Sequence, residues 1–109
     1  MEIAAGLIKV NLGAEGLVAD WAKTIRERVD EALLTLRDEG VEIESWFELE
    51  LAGDKYLLWY MRAASIERIW SAFAQSEHDI DHFHLETMTA ISAENISATP
   101  LVDLSPEGR

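Results

Sequence analysis

The sequence contains no cysteine, which removes disulfides, thiolate nucleophiles and Cys-based zinc sites from consideration. It is also poor in positive charge. Nine Lys and Arg stand against 21 Asp and Glu, for a formal charge of −12. Phosphate backbones and anionic lipid are bound through clustered Lys and Arg, so this balance opposes both. The nearest thing to a patch is Lys23, Arg26, Arg28 and Arg37, and Glu27, Asp30, Glu31 and Asp38 break it up. Nucleic acid is therefore not an expected partner, and the acidity is read as solubility. No apolar run approaches the roughly 18 to 20 residues that span a bilayer, so no membrane partner is expected either. Met1 to Leu7 lacks a basic leader region, and Lys9 and Asn11 interrupt the apolar run that follows. It is not read as a signal peptide, and a soluble cytoplasmic protein is the expectation.

What is present is enough for one small core. The 109 residues are 49% hydrophobic, with four Trp, three Phe and two Tyr to supply large apolar area. One α+β domain is expected over residues 1–104, with a loose end over 105–109.

Ile3 to Val10 is apolar on both alternating faces, the pattern of a central strand. Ala14 to Glu39 carries Leu17, Trp21, Ile25, Val29, Leu33 and Leu36 at three- and four-residue steps and reads as helix, stopped by Gly40. At about 1.5 Å per residue that span would approach 40 Å, so a bend or break is expected within it. Val41 to Leu51 alternates, which predicts an edge strand. Val41, Ile43, Ser45, Phe47, Leu49 and Leu51 are expected to face the core, and Glu42, Glu44, Trp46, Glu48 and Glu50 the solvent. A turn at Ala52 to Lys55 leads into Tyr56 to Met61, again apolar on both faces and so interior. Ser65 is placed to cap a helix bearing Ile66, Ile69, Trp70 and Phe73. A further helical stretch is expected to about Ile91. Asn95 to Leu104, interrupted by Pro100, suits a last edge strand.

This order, β-α-β-β-α-β, is the ferredoxin-like arrangement with a four-stranded antiparallel sheet. Its first and third strands are central, which agrees with the two strands that are apolar on both faces. Helices cover one side of such a sheet, leaving the other as a dimer surface or a ligand pocket.

The chain concentrates its chemistry in Ser76-Glu77-His78-Asp79-Ile80-Asp81-His82-Phe83-His84-Leu85-Glu86, which holds all three histidines. On a continuous helix His78 and His82 share a face one turn apart, with Glu86 a turn further on, the spacing of a divalent-metal site. Without metal, His78 paired with Asp81 has the makings of a general base whose tautomer the carboxylate sets. Caps and ordinary hydrogen bonds use the same residue types at the same spacing. Trp21, Trp59 and Trp70 read as core. Trp46, Tyr56, Leu58 and Tyr60 are the candidates for a ligand surface.

Tyr56-Leu57-Leu58-Trp59-Tyr60, followed by Ser76-Glu77-His78-Asp79-Ile80-Asp81 and His84-Leu85-Glu86, resembles a small bacterial family of unknown function over roughly residues 7–90. The resemblance implies a ferredoxin-like domain of the dimeric α/β-barrel type, in which two sheets face each other across a two-fold axis. It carries no established activity. Its matched positions are His78, Asp81 and His84, and His82 is not among them. Three readings stay open. The first is a homodimer binding a small ligand in a pocket near the His/Asp cluster. The second is an enzyme, oxygenase-like without cofactor or dependent on a divalent metal, using His78, Asp81 and His84. The third is a structural or interaction protein in which the cluster is a hydrogen-bonded clasp.

Overall fold

A computed structural model describes residues 1–107. The elements are β1 (Glu2–Val10), α1 (Glu15–Glu27), α2 (Val29–Glu39), β2 (Val41–Leu51), β3 (Asp54–Ala63), α3 (Ile66–Ala74), α4 (Asp79–Ile91) and β4 (Ser92–Ala98). The strands form one antiparallel sheet in the order β2-β3-β1-β4. This is an α+β fold of the ferredoxin-like type, with the two doubly apolar strands at its centre. The helices lie against one face of the sheet.

The long first helix is broken in two. At Arg28 the backbone turns to φ −107°, ψ 35°, and the Arg28 side chain bonds Glu31 in the first turn of α2. Gly40 takes the left-handed conformation at φ 79° and ends α2, with its N–H donating back to the last turn. Ser65 caps α3 as expected: its Oγ accepts from the Arg68 N–H at 3.2 Å. Residues 75–78 interrupt the helix before α4 begins. β4 starts earlier than expected and stops before Pro100. The segment after it is tied back where Asp103 meets Arg62 at 2.6 Å. Of the end expected to be loose, residues 105–107 are described; residues 108 and 109 lie outside the described residues.

Two buried clusters hold the helices to the sheet. One joins Ile8, Val10, Ala14, Val18, Leu57 and Ile91; the other joins Val41, Met61, Ala63 and Ile69. Trp59 packs against both. Its indole fits only because its cross-strand partner is Gly6. A Cβ there would stand 2.8 Å from the ring and 2.9 Å from the Ile96 carbonyl.

The two faces of β2 are the reverse of the sequence expectation. A bulge between Val41 and Ile43 shifts the register. Val41 stays in the core, but the strand beyond it presents Glu44 and Trp46 to the helices. Ile43, Phe47 and Leu51 are left exposed on the other face. There the register aligns Phe47, Leu58, Leu7 and Ile96 in one apolar row across all four strands. Tyr56 and Tyr60 flank Leu58 on that same uncovered face.

Candidate functional site

Between the helices and the sheet lies a partly open cavity of about 520 Å³, and all four tryptophans line it, with Trp70 half exposed. Trp46 and Trp59 are cross-strand neighbours on β2 and β3 and form the floor. Trp21 descends from α1 and Trp70 from α3. Trp21 meets Trp46 edge-on with centroids 5.1 Å apart, and Trp59 meets Trp70 in the same manner at 6.0 Å. Edge-to-face packing lets rings of opposite edge and face polarity attract, so the wall is held in shape rather than merely filled.

His84 of α4 stands among these rings, 5.4 Å from Trp46 and 6.0 Å from Phe73. Its Nδ1 accepts a hydrogen bond from the Trp21 indole N–H at 3.0 Å. That bond decides the tautomer, because Nδ1 is the acceptor and the proton must sit on Nε2. Burial pushes the imidazole down to about 4, with Asp81 opposing the shift. At neutral pH His84 is uncharged and offers an N–H to the cavity.

One wall is acidic. Glu39 ends α2, Glu44 lies on β2 and Asp81 in the first turn of α4, and the cavity touches all three. Glu39 is 6% exposed and Asp81 is 7% exposed. Burial first, then the facing Asp81 carboxylate, raises the Glu39 carboxyl to about 8. Both causes favour the protonated, uncharged form of Glu39, since a second bare carboxylate beside Asp81 would be costly in a buried site. Burial also raises Glu44, while the hydrogen bond from the Trp46 indole at 3.2 Å lowers it. Asp81 is fixed in turn by Ser76, whose Oγ donates to its Oδ2 at 2.6 Å and accepts from the His78 N–H at 3.1 Å.

Glu39 and Asp81 also border a second, more polar cavity of about 420 Å³. His78 lines it and is bonded through Nε2 to Asp38 of α2 at 2.8 Å. The acid pair is thus a partition between an aromatic chamber and a polar cleft.

The candidates read from sequence are distributed as follows. Asp81 and His84 border the aromatic cavity together, whereas His78 lies on the polar side and bonds Asp38, not Asp81. His78 is the N-cap of α4, with extended backbone at φ −71°, ψ 130°; its carbonyl accepts from the His82 N–H at 3.2 Å, but its ring turns to Asp38 and does not pair with that of His82. His82 bonds the Ser76 carbonyl at 2.8 Å, and Glu86 is exposed. Among the described residues no three His, Asp or Glu side chains gather to hold a metal ion. Of the four pocket candidates, Trp46 lies in the cavity, and Tyr56, Leu58 and Tyr60 lie on the opposite face of the sheet. The residues that sequence reasoning missed are Trp21, Trp59 and Trp70 as cavity walls, and Asp38, Glu39 and Glu44; Ser76 stood in the stretch read from sequence without an assigned role. Glu39 carried one signal. A carboxylate beside the Gly that ends a helix sits at the negative end of the dipole, where an acid is unfavourable.

A family model matches residues 1–108, nearly the whole chain. The chain belongs to the DUF6176 family, a family of unknown function. No curated protein matches the sequence significantly. Among solved structures, the crystal structure of protein Atu4242 from Agrobacterium tumefaciens is similar, with a TM-score of 0.60 at 16% identity. The match covers 97% of this chain and 98% of that one. At that identity the likeness is one of fold. Among the described residues of this DUF6176 chain, no helix is long and apolar enough to cross a membrane.

Proposed function

We propose that this DUF6176 chain is a cytoplasmic homodimer that binds a small organic molecule in the aromatic cavity, beside Asp81 and His84. The observation that carries the reading is the convergence of all four tryptophans on one cavity of about 520 Å³. Ligand pockets are concave, mostly apolar and fitted with a few convergent polar groups, and volumes of roughly 300 to 1,000 Å³ are usual. Here the polar groups are the His84 N–H and the acidic wall. The test is a fragment screen read by chemical shifts of the tryptophan indoles and of His84. Saturable shifts of Trp21, Trp46 and His84 are expected. Hits that shift only residues of the open sheet face would refute the placement.

The homodimer is supported by that open face. A chain of 12.3 kDa exposes 7265 Å², against about 6,100 Å² for a compact monomer of this mass. Part of that exposed surface is apolar and lies on the open sheet face, where Ile43, Phe47, Leu51 and Ile96 are all more than 40% exposed. Burying the row Phe47, Leu58, Leu7 and Ile96 against a second copy removes it from water. An enzyme reading rests on a specific feature of the same cavity: a carboxyl that keeps its proton beside a second carboxyl and a neutral imidazole, the makings of a general acid and base. Turnover of a bound ligand, lost in Glu39→Gln and His84→Ala, would favour it over binding alone.

A further inference from the structure

Resting on that reading of the cavity, we propose that its ligand is a protonated organic amine, with the ammonium at the Glu39–Asp81 wall and an apolar or aromatic body among the tryptophans. The chamber is divided by chemistry. Four indoles and Phe73, with aliphatic side chains between them, make its apolar part, while Glu39, Glu44 and Asp81 lie on one wall. Among the described residues the one cationic side chain bordering it is Arg26, which is exposed in the last turn of α1. An anionic ligand would meet three carboxyls at that wall.

Glu39 provides the second, independent observation. It is more than nine-tenths buried, and its Oε1 is a buried atom to which no group among the described residues donates. Buried acceptors without donors are rare because each forfeits its hydration without replacement. An ammonium offers three N–H donors and a full charge, whereas an alcohol offers one donor and no charge. Indole faces add attraction for a cation, and do so most strongly where water is excluded. Neutral His84 does not compete for the carboxylates. A bound ammonium favours the ionised carboxyl, so the proton on Glu39 leaves to solvent as the cation binds. The raised carboxyl of Glu39 agrees with such a wall awaiting a cation.

The experiment compares three probes of one shape and different charge: 2-phenylethylammonium, 2-phenylethanol and 3-phenylpropanoate. Each is titrated at pH 7 into the full chain and into Glu39→Gln, with tryptophan fluorescence as the readout and circular dichroism to establish that the variant is folded. The amine is expected to bind about tenfold or more tighter than the alcohol, with the carboxylate weakest of all. Glu39→Gln should lose most of that preference while keeping the alcohol's affinity. If alcohol or carboxylate binds as tightly as the amine, the amine assignment is overturned and the cavity reading stands. If the preference survives Glu39→Gln, the placement of the ammonium is overturned. If none of the three binds, the cavity reading itself fails.

Discussion

Replacing Glu39 by Gln should stabilise the protein in alkaline solution and leave it nearly unchanged in acid. The carboxyl is raised from 4.5 to about 8 by burial and by Asp81. The folded state therefore holds this proton more tightly than the unfolded chain does. Below 4.5 both states are protonated and the site costs nothing. Between 4.5 and 8 unfolding releases a proton, so stability falls as pH rises, and above 8 the full cost is present. At about 1.4 kcal/mol per tenfold change, that cost approaches 5 kcal/mol for an isolated dry site. Glu39 borders two cavities, whose polarity screens the charge, so we take about half, roughly 2 kcal/mol. Gln keeps the shape and never ionises. The assay is urea unfolding followed by tryptophan fluorescence at intervals from pH 4.5 to 9, on wild type and variant. His84 titrates in both proteins and cancels in the difference. The variant's advantage should grow from near zero to about 2 kcal/mol across the series. A difference that does not change with pH, or a wild type that gains on the variant as pH rises, would refute the buried-proton argument.

Three further outcomes are expected. His84 should titrate near 4 by NMR, and because its folded value lies below 6.5, stability should fall as pH drops from 6.5 to about 4; a midpoint near 6.5 would mean that its ring is hydrated. Gly6→Ala places a Cβ 2.8 Å from Trp59 and 2.9 Å from a backbone carbonyl, and should cost about 1 to 3 kcal/mol in denaturant unfolding, with a shift of Trp59 fluorescence. Leu58→Asp puts a charge at the centre of the open sheet face, and light scattering should report a monomer for the variant against the dimer expected for wild type; equal masses for the two would refute pairing through this face.

Much of the fold was legible because period and propensity act locally. Ile3 to Val10 and Tyr56 to Met61 are apolar on both faces, so their place at the centre of the sheet follows from residue order alone. The break expected in Ala14 to Glu39 falls at Arg28, and Ser65 and Gly40 act as the helix signals that they are. The site was less legible. Acid and histidine spacing marks Ser76 to Glu86 as the stretch where chemistry gathers, and Asp81 and His84 do reach the cavity. Their partners, however, come from elements distant in sequence, since Trp21 bonds His84 across 63 residues and Asp38 bonds His78 across 40.

The sequence by itself determined the element order, the central strands, the acidic surface and the absence of thiol chemistry, because each depends on neighbours along the chain. Tertiary structure decided which face of each strand became the site. A single bulge after Val41 inverts β2, and in a pattern of period two one extra residue exchanges every later side chain between the faces. That inversion carries Trp46 under the helices and leaves Phe47 outside. Only the docking of α2 against α4 brings Glu39 to Asp81, and a carboxyl becomes a buried group that keeps its proton through what surrounds it in space.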